Sequence, residues 1–366
     1  MKSKAAVVHA LGEPFTIETV DIADPIGAEV LVKTLGSGLC ASDIHLVEDP
    51  YGIYPFPLVA GHELAGVVQE VGPDVTDFAV GDIVVGSLVQ FCGHCEACLD
   101  GRTYQCQHPE DTLRTPDQPP RISLKGEPVS QAWGVGAFSE YVVIHQNQLV
   151  KVTEDIPLAQ AAILGCGVIT GAGGAINTAH VQPGDSVAVF GAGGVGLNVL
   201  QGAKIAGAST IIAVDLSDSK LELSRRFGAT HTINSGSEDP VKAIQGITGG
   251  GVNHAFEVIG LDVTEKQAAA SVGVGGGAYF IGMRPPQEEF SIPMLRGLLT
   301  KQAKVQGVYM GSTNIKHDIP MYARLYKQGR LNLDDLVSRK ISIDEINEGY
   351  QAQKHGEVAR SVITSF

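Results

Sequence analysis

Positive charge is scarce in this chain. Its 366 residues include 26 Lys and Arg against 40 Asp and Glu, a formal net charge of −14, which is the wrong sign for wrapping a polyphosphate or an anionic bilayer. Nucleic acid and membrane surfaces are therefore not expected partners. Aromatic residues make up only 6% of the chain, with a single tryptophan, and long apolar runs are missing. The longest uncharged stretch, Ile156 to Ala179, is interrupted by five glycines and by Gln160, Thr170, Asn177 and Thr178, so it does not read as a membrane span. Met1 to Phe15 lacks the sustained apolar segment of a secretory signal. The six cysteines are then expected as thiols or ligands in a reducing cytoplasm rather than as disulfides. No internal repeat is present.

Glycine, by contrast, is abundant at 45 residues, and 44% of the chain is apolar, a globular composition with many tight turns. The length favours two domains of ordinary size. Up to about residue 150 the periodicity is mostly two, with β-branched runs at Glu29–Thr34, Gly66–Val71 and Asp82–Val85, which predicts an irregular, mainly β domain. Gln107 to Trp133 is polar and proline-rich and reads as a long loop. From about 168 onward, short apolar strands alternate with helical segments: Ser186–Phe190, Thr210–Asp215, His231–Asn234, His254–Ile259, Ala278–Gly282 and Lys304–Val308. Six such strands predict an α/β fold with a doubly wound parallel sheet. Helices around Pro320–Gln328 and Ile343–Lys354 and a last strand at Arg360–Thr364 complete the chain.

Four cysteines lie close together, Cys92, Cys95, Cys98 and Cys106, spaced C-x2-C-x2-C-x7-C. This spacing can wrap four thiolates around one tetrahedral zinc. An iron–sulfur cluster is the rival reading, although the bacterial ferredoxin run has a different last spacing and a following proline. Cys40 and Cys166 stand apart, and His62, in a Gly-His-Glu triplet, lies 22 residues after Cys40. Two thiolates and an imidazole would leave a fourth zinc position open, the arrangement of a catalytic site. No second histidine follows His62 at helical spacing, which excludes the HExxH pattern.

The strand Ser186–Phe190 runs straight into Gly191-Ala192-Gly193-Gly194-Val195-Gly196, a G-x-G-x-x-G loop, and then into a helical pattern. Its glycines make a tight turn, admit a pyrophosphate and let helix and strand pack closely. Asp215 ends the next strand, 24 residues after Gly191, where a carboxylate accepts from ribose hydroxyls and repels a 2′-phosphate. With no arginine between Leu216 and Ser219, NAD is favoured over NADP.

Taken in order, GLCASDIH, GHE, the cysteine knuckle, LGCGVITG, VFGAGGVG, AVD, FEVIG, INEGY and VARSVITSF resemble the zinc-dependent medium-chain alcohol dehydrogenases along the whole chain, with the look of the liver-type branch. The resemblance implies a GroES-like catalytic domain at 1–167 and 308–366 around a Rossmann NAD-binding domain at 168–307. It implies that Cys40, His62 and Cys166 bind a catalytic zinc with Glu63 beside it, that the knuckle binds a structural zinc, and that Asp43 orients His62. Ser42 would take the alcohol proton and His45 would pass it on. Thr170, Val195, Lys220, Val258, Ile281 and Met283 match cofactor-contact positions, and Arg360 matches an arginine that reaches the pyrophosphate. The implied reaction is reversible hydride transfer between an alcohol and NAD.

The segment LGCGVITGAGGAINTA looks most like the aryl-alcohol branch, and Ser42 in place of threonine leaves room beside the zinc. Tyr51, Tyr54, Leu88, Trp133, Phe138 and Met283 are candidates for an apolar substrate cleft. An aromatic or medium-chain primary alcohol, or its aldehyde, is the expected substrate. Three alternatives stand beside it: a glutathione-dependent formaldehyde dehydrogenase, a nicotinoprotein that retains its NAD, and a nucleotide-binding protein without turnover. Liver-type relatives commonly carry Arg or His against the cofactor phosphate where this chain has Ala41, which predicts loose NAD. The long Gln107–Gly136 segment favours a homodimer over a tetramer.

Overall fold

A computed structural model describes residues 1–48, 51–356 and 358–366. The chain divides into two compact units, Met1–Cys166 with Asn314–Phe366, and Gly167–Thr313. The second boundary falls later than the 307/308 junction expected from the sequence. The cause is local: Thr170 Oγ1 donates to Met310 Sδ and Thr313 Oγ1 to the Ile169 carbonyl, so the segment through Thr313 packs with the helix Gly167–Gly173.

The discontinuous unit is mainly β. One of its sheets is built on Glu29–Gly38, which pairs antiparallel with Glu63–Val71, with Tyr141–His145 and with the C-terminal strand Arg360–Ser365. Arg360–Ser365 pairs in parallel with Val337–Ser342 on its other side. Apolar residues alternate along these strands, and Val30, Val32, Leu64, Val68, Val142 and Ile144 are buried together in one core cluster. The helix read from Pro320 starts earlier, at Ile315, and runs to Lys327 with Pro320 inside it. Asn314 precedes its first turn and its N–H donates to Asp318 Oδ2, so the helix start is set by this local bond and not by the proline, a common opening residue.

The segment 107–133 is more ordered than a plain loop. It contains a 3₁₀ turn at Pro109–Thr112 and a strand at Ile122–Leu124 that pairs with Thr16–Ile22. A buried ion cluster ties it down: Arg114 Nε donates to Glu29 Oε1 at 2.9 Å and Arg121 Nε to the same oxygen at 2.7 Å. Arg121 also donates to the Thr112 carbonyl at 2.6 Å, and Arg114 to the carbonyls of Asp24 and Pro119. Burial alone would push the Glu29 carboxyl up; the two guanidinium groups outweigh it and hold it below the usual range. Ionised Glu29 therefore stabilises the fold above the ordinary glutamate pKa, and that stability is lost as pH falls through the lowered value. Glu29→Gln strands two buried cations and is expected to cost about 3–5 kcal/mol at pH 7. Urea midpoints measured at pH 7 and near pH 3 should show the gap between wild type and variant closing at the lower pH.

The second unit is a six-stranded parallel sheet in the spatial order His231–Asn234, Thr210–Asp215, Ser186–Phe190, Val252–Glu257, Val272–Phe280, Lys304–Gly307. This is the doubly wound order with its reversal beside Ser186–Phe190, where ligands of such sheets bind. The first three strands in the sequence have the expected bounds. The fourth begins and ends two residues earlier than its apolar pattern suggested and the fifth begins at Val272. Gly-rich stretches at 249–251 and 273–277 blur that pattern, because glycine carries no side-chain signal to mark where pairing begins. No single helix among the described residues is long and apolar enough to cross a membrane.

Candidate active site

In the discontinuous unit, the helix Ala41–Glu48 begins directly after Cys40. Its second and fifth residues, Ser42 and His45, are three apart and share a face, while Asp43 is turned inward and fully buried. Asp43 Oδ1 accepts from the Gly61 N–H at 2.9 Å and from His62 Nδ1 at 3.0 Å, and Oδ2 accepts from the Cys40 N–H at 3.3 Å. One carboxylate thus joins the two segments that carry Cys40 and His62 and fixes the imidazole tautomer, leaving Nε2 as the free lone pair.

That Nε2 is buried without a hydrogen-bond partner. Cys40, His62 and Cys166 are all buried, and their ligand atoms lie within 4.8 Å of one another. An orphaned imidazole nitrogen facing two thiol sulfurs is unfavourable as a dry cluster and is satisfied by a soft divalent cation, so the residues present fit zinc. Hydrogen bonding from Cys166 holds the Cys40 thiol well below its usual range despite burial, with Arg360 and His62 assisting. Burial would push His62 down, but Asp43 and the negative Cys40 raise it well above the usual histidine value.

Glu63 follows His62 and is also fully buried. Its Oε1 is 3.0 Å from Arg360 Nη2, and Arg360 Nη1 donates to the Leu39 carbonyl at 3.1 Å. The Arg360 guanidinium, 4% exposed, thus lies beside Glu63. Ser42 Oγ lies 3.7 Å from Cys40 Sγ, and the His45 ring is tilted 5.9 Å from that of Tyr51. Of the apolar-cleft candidates, Tyr54 and Trp133 meet edge to face at 6.3 Å, and Trp133 also meets His62. Phe138 is fully buried core against Phe15 and Tyr350, and Leu88 is buried as well.

The knuckle cysteines form a second cluster, with all four sulfurs within 4.8 Å. Cys92 and Cys98 are 3.9 Å apart and Cys95 and Cys106 4.0 Å, close to the roughly 3.8 Å edge of a tetrahedron built on Zn–S bonds of about 2.3 Å. A cluster of several irons would hold them farther apart. Backbone N–H groups of Cys92 and His108 point at Cys106 Sγ, and those of His94 and Cys95 at Cys92 Sγ, a cage that suits thiolates. N–H groups of Gln107 and Cys98 hold the Cys95 thiol down to about 6.

In the parallel-sheet unit, Gly191 has φ 106°, and a Cβ on Gly196 would sit 1.8 Å from the Gly191 carbonyl oxygen. Both positions need glycine for the turn itself. Gly193 is different: its φ of −82° is ordinary and a Cβ there would meet no atom within 4 Å, which leaves open space at the N-terminus of the helix Gly194–Ala206 for an approaching anion. Asp215 Oδ2 accepts from the Ala192 N–H at 2.8 Å and Oδ1 from Ser217 N–H at 3.0 Å, so the carboxylate also braces the glycine loop. Glu257 accepts from the N–H groups of Ile259 and Gly260 and from Thr264 and shapes the turn after Val258; the sequence offered no sign of this. Val195, Lys220, Val258, Ile281 and Met283 are all half-buried, and Thr170 is buried.

A zinc-binding oxidoreductase with a GroES-like domain and a Rossmann unit is what this architecture and donor set define. The model of the alcohol dehydrogenase GroES-like domain matches residues 27–154, and that of the zinc-binding dehydrogenases matches 194–328. The NDMA-dependent alcohol dehydrogenase of Amycolatopsis methanolica is 39% identical over 99% of both chains. The S-(hydroxymethyl)glutathione dehydrogenase of Escherichia coli O6:H1 is likewise 39% identical, over 99% of this chain and 100% of its own. The crystal structure of benzyl alcohol dehydrogenase from Acinetobacter calcoaceticus superposes with a TM-score of 0.94 at 36% identity, covering 100% of each chain. The chain belongs to the zinc-dependent medium-chain alcohol dehydrogenase family.

Proposed function

We propose that the protein oxidises an aromatic or medium-chain primary alcohol to its aldehyde, reversibly, with NAD as acceptor and two zinc ions per chain. The observation that carries this reading is the buried Cys40, His62 and Cys166 triad, which offers three soft or borderline donors and no fourth thiolate. Zinc held there would act as a Lewis acid on the alcohol oxygen. Ser42 is the group next to the triad able to accept and return a proton, and His45, one turn along the same helix face, hands it on. Asp43 keeps His62 oriented. The second zinc belongs to Cys92, Cys95, Cys98 and Cys106. Asp215 at the ribose position favours NAD, and the open space at Gly193 suits the pyrophosphate. The aromatic substrate class draws support from the Trp133 ring beside His62, with Tyr54 against Trp133, and from the benzyl alcohol dehydrogenase relative.

A panel from ethanol through hexanol to benzyl and cinnamyl alcohols, followed by nicotinamide absorbance, tests the reading. Rates highest on the aromatic alcohols, with NAD and hardly with NADP, are expected; a flat trace from zinc-replete protein would overturn it. A second reading, in which NAD stays bound and an added acceptor reoxidises it, is favoured by the 39% identity to an NDMA-dependent enzyme. NAD co-purifying with the protein and turnover only with NDMA would select it.

Ala41 is exposed on the first turn of its helix, where liver-type relatives carry a phosphate-binding cation. Ala41→Arg should add a charge-assisted bond of about 1–3 kcal/mol and tighten NAD roughly 5- to 150-fold in a fluorescence titration. We also place the protein in the cytoplasm, in keeping with six free cysteines, and read it as a homodimer. The strand Lys304–Gly307 lies at the sheet edge with every residue exposed, and Met294, Leu295 and Leu299 are exposed beside it in sequence, an unprotected apolar edge that suits pairing with a second copy. Val305→Glu is expected to shift the mass measured by light scattering from dimer towards monomer.

A further inference from the structure

Trp133 is the chain's single tryptophan, and its backbone lies in the left-handed region at φ 50°, ψ 24°. Gly134 follows with φ 69°. A bulky residue in that region persists only where its surroundings over-determine it, and such outliers cluster at functional sites. Here four side chains hold the backbone on both sides. The Trp133 N–H donates to the Tyr54 hydroxyl oxygen at 2.9 Å, and its carbonyl accepts from Gln148 Nε2 at 2.9 Å. The Gly134 carbonyl accepts from Arg121 at 3.4 Å, and that of Val135 from Gln131 Nε2 at 2.9 Å. Arg121 is itself fixed by Glu29. The conformation so held puts the indole edge-on to the His62 imidazole, with centroids 4.6 Å apart and planes at 70°.

We propose that Trp133 is a positioning residue for His62, and that the clamp formed by Tyr54, Gln148, Arg121 and Gln131 holds its indole in place. The inference rests on the reading of Cys40, His62 and Cys166 as a metal site. Asp43 fixes the rotation of the imidazole through Nδ1, but one hydrogen bond leaves the ring free to tilt about it. An aromatic wall at 4.6 Å removes that tilt and keeps Nε2 directed at the two sulfurs. Hydrogen-bonded partners around a metal ligand govern its affinity by about 10- to 100-fold, and the ring contact is expected to act at the lower end of that range.

Because there is one tryptophan, its emission reports on this contact in the unmutated protein. Full-length protein is stripped with chelator and reloaded with either Zn²⁺ or Co²⁺, and emission excited at the red edge of the indole band is compared with metal content and with the Co²⁺–thiolate absorption. We expect Co²⁺ to quench the emission at least twofold relative to Zn²⁺. We expect Trp133→Leu and the near-isosteric Tyr54→Phe to release one metal per chain to chelator about tenfold faster than wild type, while Trp133→Phe largely restores retention. A tryptophan that served only as a substrate wall would change KM and leave metal release unmoved; that outcome overturns the proposal, as does emission blind to bound Co²⁺. Loss of both metals together with a lowered melting temperature would also overturn it, since it marks a merely structural role. Should a Cys40→Ser chain keep its full metal complement, the metal-site reading itself fails, and with it the proposal.

Discussion

His62→Ala is expected to lower the metal content from the proposed two zincs per chain to one and to reduce turnover by about 10³- to 10⁴-fold. The imidazole is one of the three buried donors that group together here among the described residues, and a site reduced to two thiols that hydrogen-bond each other holds a divalent ion poorly. Lewis-acid stabilisation of a developing charge is worth several kcal/mol, and each 1.36 kcal/mol is a factor of ten. The fold should survive, because the knuckle lies elsewhere in the unit and His62 leaves a cavity of one ring. Atomic absorption and steady-state rates on the same preparation check both parts. Full activity with one zinc would place the chemistry elsewhere.

Gly193→Ala and Gly196→Ala should separate a binding role from a folding role within one loop. At Gly196 the new methyl would lie 1.8 Å from a carbonyl oxygen, which the strand and helix can relieve only by moving apart; we expect a destabilisation of about 4 kcal/mol or more, seen as insoluble or prematurely melting protein. At Gly193 the methyl meets nothing, so stability should stay within about 0.5 kcal/mol of wild type. It would occupy the space a pyrophosphate needs, and NAD affinity is expected to fall at least tenfold, about 1.4 kcal/mol or more. Unchanged NAD binding in Gly193→Ala would remove the loop from the nucleotide site.

Much of this was legible because its signal is local. The strand Ser186–Phe190, its glycine loop and Asp215 sit within thirty residues of one another, and each carries its reason in its residue type. The knuckle is equally compact. Cys40 and Cys166, 126 residues apart, drew meaning from His62 and from the family pattern around them. The Glu29, Arg114 and Arg121 cluster could not be read the same way. Its members are separated by 85 and 92 positions, and charges drawn together over that distance leave no period in a polar, proline-rich segment. The left-handed backbone at Trp133 was invisible for a related reason: the residue type argues against it, and only the clamp explains it. The Arg360 and Glu63 pair was equally hidden, because strand pairing rather than sequence proximity brings the two together.

The path of the chain sets an order of events during synthesis. Glu29–Gly38 receives Arg360–Ser365 along part of its length, at Ser37 and Gly38, yet at about 5–20 residues per second the ribosome needs roughly 15–65 s to travel between these two segments. In that interval Gly167–Thr313 emerges whole and can complete its sheet, while the earlier unit waits with an open strand end and with Glu63 lacking its arginine. Translation thus finishes the parallel-sheet unit before the discontinuous one, whose earlier part passes through a long aggregation-prone stage that slower growth or lower temperature during expression should relieve.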